Sequence, residues 1–293
     1  MFANYEDELK RERAKMVELR KNALLPAGLL DLVERTMEAQ ARATAGIESA
    51  AGFAAGVALE PWERVASGAP LLARRSFGYD VSGAKALFGE LLDVLEGAGG
   101  PMARAAGKVR AGGEGLMRQS FDAFLQDEGT VFVAFAEVTP EAPRALSYLA
   151  QSSLAPWITA AAREIAGRLP EGRTWGAVCP VCGSLPLIST LTGKEGGRVH
   201  TCSFCRASYR TPRLQCPYCQ EQDAAKLPYF TADEAPGFRV DACLTCQGYV
   251  KTVDFREFDR ASVPVLDDLE SMVLDMMAAK RGFKRHVLCA WGF

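Results

Sequence analysis

Cys179-Pro-Val-Cys182-Gly-Ser, Cys202-Ser-Phe-Cys205, Cys216-Pro-Tyr-Cys219 and Cys243-Leu-Thr-Cys246 follow one another along one stretch of the chain. Two residues between cysteines let the backbone wrap one metal and place both thiolates on it at about 2.3 Å. Four thiolates complete a tetrahedron suited to zinc or to a single iron. One such pair alone also reads as a redox motif of the thioredoxin kind, but four pairs in one segment point to metal, and eight cysteines make two sites. The ninth cysteine, Cys289, stands apart and is expected as a thiol outside those sites.

Counting alone allows sequential, nested or cross-braced sharing of the pairs. The intervening sequence favours the first. Residues 185–191 and 198–201 flank Gly193-Lys-Glu-Gly-Gly197 as a hairpin, and residues 226–230 and 238–242 flank a turn at 233–237. Each hairpin brings its own two pairs together. The first pair of each half begins Cys-Pro, the second does not, and a tyrosine-bearing strand follows each second pair, at Tyr209 and Tyr249. The pattern is one ribbon unit used twice. Cys179, Cys182, Cys202 and Cys205 are expected on one metal, and Cys216, Cys219, Cys243 and Cys246 on the other, while a nested arrangement of the same eight stays open. Glycine at 183 tolerates the left-handed backbone that turns amides toward sulfur, and Gln220 holds that place in the second unit. His200, beside Cys202, reads as a packing or strand-surface residue rather than a ligand.

The rest of the chain has a different texture. Before residue 172 there are no cysteines and many alanines, leucines and charges in helical rhythm. Residues 5–21 read as an exposed charged helix with Glu6–Lys10 and Asp7–Arg11 at supporting spacing. Pro26 and Gly28 interrupt it before a second helix. Ser82 is the expected cap of a helix whose apolar stripe is Ala84, Leu87, Phe88, Leu91, Leu92 and Leu95. Leu116, Met117, Phe121, Phe124 and Leu125 form a further stripe, residues 131–135 suit strand or buried helix equally, and Ser153 is the expected cap of a last helix carrying Pro156 in its first turn. Beyond Phe258 comes a C-terminal helix with apolar face Leu266, Leu269, Val273 and Met276. Asp267, Asp268 and Glu270 crowd its first turn and Lys280 and Arg281 its last, as the helix dipole favours. The expected architecture is thus multidomain: an all-α domain over 1–172, rubredoxin-like or zinc-ribbon β modules over 173–214 and 215–258, and a helix and tail over 259–293.

Composition excludes some functions. The 293 residues carry a formal charge of −2, which gives no bulk attraction to nucleic acid or anionic membranes. Lys194, Arg198, Arg206, Arg210 and Arg213 give the first ribbon a positive side, but 171–260 holds eleven Lys/Arg against ten Asp/Glu. That balance is weak for a phosphate-binding surface, so nucleic acid is not expected and Arg206, Arg210 and Arg213 read as a protein-docking face. The charged first 21 residues lack the apolar core of a secretory signal, and the most apolar stretch, 49–59, is too short to span a bilayer. A cytoplasmic chain without membrane insertion is expected. No catalytic cluster is recognisable in the helical half, and no enzyme is expected.

Cys179-Pro-Val-Cys-Gly-Ser184, Cys202-x-x-Cys205, Arg213, Cys216-x-x-Cys219, Cys243-x-x-Cys246, Tyr249-Val-Lys251, Asp267-Asp-Leu269 and Val273-Leu-Asp275 together resemble the FdhE family, the formate dehydrogenase accessory (formation) proteins. The ordered set covers roughly the C-terminal third of the chain. Tyr209 stands where a tryptophan is expected and Val250 where leucine is usual, and neither is a ligand. The resemblance implies an assembly factor for molybdenum- or tungsten-dependent formate dehydrogenase that acts on the catalytic subunit, with rubredoxin-like iron in the cysteine sites. A nucleic-acid-binding zinc ribbon and a rubredoxin-like electron carrier are the competing readings of the same cysteines.

Overall fold

The computed structural model describes residues 5–48 and 57–292. Most of the apolar stretch at 49–59 therefore lies outside the described residues. The order of elements is α1 (Tyr5–Leu19), α2 (Ala27–Glu48), α3 (Trp62–Ala66), α4 (Val81–Gly97), α5 (Gly100–Gln126), α6 (Thr130–Val138), α7 (Ala145–Ala166), β1 (Pro186–Thr192), β2 (Gly197–Cys202), β3 (Ser208–Thr211), β4 (Tyr229–Phe230), β5 (Phe238–Ala242), β6 (Tyr249–Val253), α8 (Pro264–Glu270) and α9 (Met272–Lys280). Helices thus precede the sheet and follow it. No helix among the described residues is long and apolar enough to cross a membrane.

The chain divides into two compact units. One comprises residues 16–57, 73–164 and 291–293 and is helical. In it α4 packs against α2 and α5, and the expected stripe from Ala84 to Leu95 is buried. The cap of α4 is Asp80, whose carboxylate accepts from the Gly83 N–H at 2.7 Å; Ser82 lies inside the first turn. Gly113, with φ 60°, breaks the path of α5 between its two halves. The ambiguous segment 131–135 is helical, within α6.

Helix α7 departs from the reading that placed its start at Ser153. It begins at Ala145, so Ser153 is a buried mid-helix residue and Pro156 sits in the interior. A proline there cannot donate to the carbonyl four residues back. That carbonyl, of Ser152, instead accepts from the Gln40 side-chain amide of α2 at 2.8 Å. Nearby, Thr36 and Tyr148 join the same two helices through their hydroxyls at 2.6 Å. Gln40→Leu is expected to leave the Ser152 carbonyl without its partner and to cost about 1–3 kcal/mol of stability, measurable by urea denaturation.

The other unit comprises residues 1–15, 58–72 and 165–290 and is built on one six-stranded sheet of order β3-β2-β1-β6-β5-β4. Each half is an antiparallel three-stranded ribbon. The two ribbons are not merely in tandem. β1 pairs in parallel with β6, Ser189 opposite Thr252, so the halves fuse into a continuous sheet.

Across one face of this sheet runs a buried polar row. Arg198 on β2 reaches Ser189 on β1, Thr252 on β6 and, at 2.7 Å, the Asp241 carboxylate on β5. Arg198 is 5% exposed, so it ties strands together and does not belong to a positive surface as its sequence position implied. The other face carries Lys251, also buried, toward the C-terminal helices. Those helices are α8 and α9, broken at Ser271 where a single helix was expected, and Met276 of the expected apolar face is exposed.

Candidate metal centres

Each Cys-x-x-Cys pair sits at a tight backbone knuckle. The leading cysteine of each pair donates its N–H to the carbonyl five residues on: Cys179 to Ser184, Cys202 to Ala207, Cys216 to Glu221 and Cys243 to Gly248, all at 2.9 Å. The residue after the second cysteine is left-handed in all four: Gly183, Arg206, Gln220 and Gln247, with φ between 57° and 80°. Only the first is glycine. The other three adopt a conformation that costs an L-residue roughly 1–2 kcal/mol, so the knuckle geometry is imposed on them.

The knuckles bring the eight sulfurs into two groups of four, Cys179 with Cys182, Cys202 and Cys205, and Cys216 with Cys219, Cys243 and Cys246. Within each, the first cysteine of the leading pair lies nearest the second of the trailing pair. Cys179 is 3.7 Å from Cys205 and Cys182 3.4 Å from Cys202; Cys216 is 3.7 Å from Cys246 and Cys219 3.6 Å from Cys243. A metal held at about 2.3 Å by four sulfurs sets them about 3.8 Å apart, so both groups fit a tetrahedral ion. Burial pushes the Cys179 and Cys205 thiols well above their ordinary range, so four thiolates in that group need a cation to hold their charge. Either group could hold a metal ion, and the donor set suits zinc and iron alike.

His200 is not part of either group. Its Nδ1 lies 2.7 Å from the Ser189 hydroxyl, and burial together with nearby Arg198 pushes its pKa down to about 3, so it is a neutral packing residue. Of the three arginines read as a docking face, Arg210 and Arg213 are exposed. Arg206 is turned inward, donating to the Ala290 carbonyl at 2.7 Å.

Four of the polar motif residues beyond the cysteines, Tyr249, Lys251, Asp268 and Asp275, converge on one largely buried cluster. The Tyr249 hydroxyl donates to Asp275 at 2.7 Å, and Lys251 meets Asp275 at 2.6 Å and Asp268 at 2.8 Å. Arg285 adds a second cation on Asp268 at 2.6 Å. Burial works to raise the Asp268 carboxyl, but Lys251 and Arg285 outweigh it and hold the group below the usual range. Asp267 faces the other way: it accepts from the Val263 N–H and pairs with Lys15 of α1 at 2.9 Å. The two aspartates, read as helix-dipole charges, are thus fully buried ion-pair partners.

Sequence reasoning missed Lys15 and Arg285. Nothing in their local sequence separates them from surface charges, although Met16 and Leu19 mark that side of α1 as apolar. It also missed the path of the tail. Lys284 exchanges backbone bonds with Gln247 and Tyr249, His286 packs on Tyr218 with ring centroids 4.3 Å apart, and Ala290 receives Arg206. Residues 284–290 therefore touch a knuckle of each sulfur group.

Fold and sites define a chain of helices and a fused double ribbon with two tetrathiolate groups. The family described as "FdhE, C-terminal domain" matches residues 214–290. Two proteins named "Protein FdhE homolog" align with the C-terminal region: one from Aquifex aeolicus, 35% identical over 108 residues, and one from Pseudomonas aeruginosa, 36% identical over 122. These alignments cover 36% and 39% of this chain and 38% of each relative, so the chain matches little more than a third of their length. The crystal structure of the FdhE protein from Pseudomonas aeruginosa superimposes with a TM-score of 0.60 at 25% identity, covering 98% of this chain and 96% of that one. Residues 214–290 thus match the FdhE C-terminal domain family, and the whole chain shares its fold with the FdhE protein from Pseudomonas aeruginosa, as the resemblance implied.

Proposed function

We propose that this chain is a cytoplasmic accessory protein for the assembly of molybdenum- or tungsten-dependent formate dehydrogenase, acting by binding the catalytic subunit rather than by catalysis. The observation that carries this reading is the coincidence of the FdhE match with a sulfur group and the buried cluster around Asp268. Both sulfur groups hold metal in this reading, iron of the rubredoxin type or zinc. The metal keeps the hairpins folded; the chain's own residues present the surface. Arg210 and Arg213 are the exposed part of the docking face, with Arg206 acting from inside to hold the tail.

Affinity purification of the chain from its native host, with a crosslinker added, is expected to recover a formate dehydrogenase catalytic subunit, and Arg210→Glu with Arg213→Glu is expected to lower that recovery several-fold. Repeated failure to recover the subunit overturns the proposal. Metal analysis with an absorption spectrum of anaerobically purified protein separates iron, with its thiolate bands, from colourless zinc.

A further inference from the structure

The two sulfur groups share a geometry but not a covering. Cys179, Cys182, Cys202 and Cys205 are all between 0% and 2% exposed. A segment from the N-terminal half closes over their leading knuckle: Leu71 donates its N–H to the Pro180 carbonyl at 2.8 Å, and Leu72 to that of Val181 at 3.0 Å. Pro70 lies so close to Gly183 that a Cβ there would come within 3.3 Å of its ring. A side chain at Gly183 would crowd the cover, and its positive φ favours glycine there.

The second group has an open side. Cys219 is exposed and Cys246 half-buried, whereas Cys216 and Cys243 are buried. Gln220 stands exposed where Gly183 stands in the first unit. Tyr218 packs on His286 of the tail, and Lys284 bonds to Gln247 next to Cys246, while Cys219 stays exposed. The rim is tied by Glu221, whose carboxylate accepts from the Thr245 hydroxyl at 2.7 Å.

We infer that the centre at Cys216, Cys219, Cys243 and Cys246 is an exchange site, entered beside Cys219 by thiolate ligands, and that the centre at Cys179, Cys182, Cys202 and Cys205 is locked. This rests on the reading that both groups hold metal. In the exchange step an incoming thiol gives up its proton and bonds the metal through sulfur, the metal–Cys219 bond breaks, and the Cys219 sulfur takes up a proton. The number of thiolates on the metal is unchanged and nothing is oxidised. Ligand exchange at a four-coordinate ion needs room for an entering group, and only the second centre offers it. Repetition of the step at Cys246, the other half-open ligand, and then at Cys216 and Cys243 would carry the ion off the protein.

The test uses the full chain loaded with two equivalents of zinc. Excess 2,3-dimercaptopropanesulfonate is added, metal retained after rapid desalting is measured against time, and parallel samples are alkylated with iodoacetamide and mapped by mass spectrometry. One equivalent is expected to leave at least tenfold faster than the other, with label in that phase on Cys216, Cys219, Cys243 and Cys246. Loss of both equivalents at one rate, or label appearing first on Cys179, Cys182, Cys202 and Cys205, overturns the inference. A chain that retains no metal on loading overturns the underlying metal reading instead.

Discussion

Cys202→Ser is expected to abolish hydrogen-exchange protection throughout β1, β2 and β3, and to do so while the helical unit around α4 and α5 keeps its protection. The first ribbon is short, and its strands converge on four sulfurs that are all buried. Metal binding to such a site is folding free energy, on the order of 10 kcal/mol for isolated structural zinc modules, so losing one ligand removes several kcal/mol. Cys202 is also the sulfur that accepts from the N–H groups of Phe204 and Cys205, at 3.4 and 3.5 Å. A serine oxygen is too short to keep those bonds and the metal together. Since β1 also pairs with β6, partial loss in the second ribbon should follow. Equal protection in the variant and the parent would contradict this account.

Asp268→Ala is expected to destabilise the sheet-bearing unit by about 3–5 kcal/mol, because it strands buried Lys251 and half-buried Arg285 with Asp275 as their remaining carboxylate. Lys251 is 1% exposed and cannot turn to water without opening the sheet face. The paired replacement Asp268→Leu with Lys251→Met is expected to recover most of the loss, since it removes both buried charges together. Urea unfolding of metal-loaded protein measures both. The pH dependence has a defined sign. The folded carboxyl lies below its unfolded value of about 3.9, so its contribution is present above that value and is lost as pH falls through the lower folded one.

What was readable in the sequence was local. Two-residue spacing between cysteines forces each knuckle, and the hairpin between Cys182 and Cys202 needs only a glycine-rich turn, with Gly193 and Gly196 both at positive φ. The sulfur groups follow from those short-range facts, as does the apolar stripe of α4. The unreadable parts depend on distant partners. Nothing in β1 or β6 announces that they will pair. Asp267 and Asp268 have the position of dipole charges, and only Lys15, Lys251 and Arg285, far away in sequence, turn them into buried ion pairs. Pro156 reads as a helix start, yet it sits inside α7, where the Ser152 carbonyl it leaves unpaired is satisfied by Gln40, over a hundred residues earlier. Arg198 reads as surface until Asp241 appears two strands beyond its neighbour.

The parallel joint between β1 and β6 also imposes a timetable on synthesis. A ribosome delivers β1 well before β6, and until Tyr249–Val253 has emerged β1 is an open edge with unpaired backbone groups and apolar Leu187, Ile188 and Leu191. Such an edge can pair with another nascent chain, and pairings between distant segments close slowly. If the second ribbon needs an ion to close, that exposure lasts until the ion is bound. If the sulfur groups hold metal, its supply during translation would then bear on yield as well as stability.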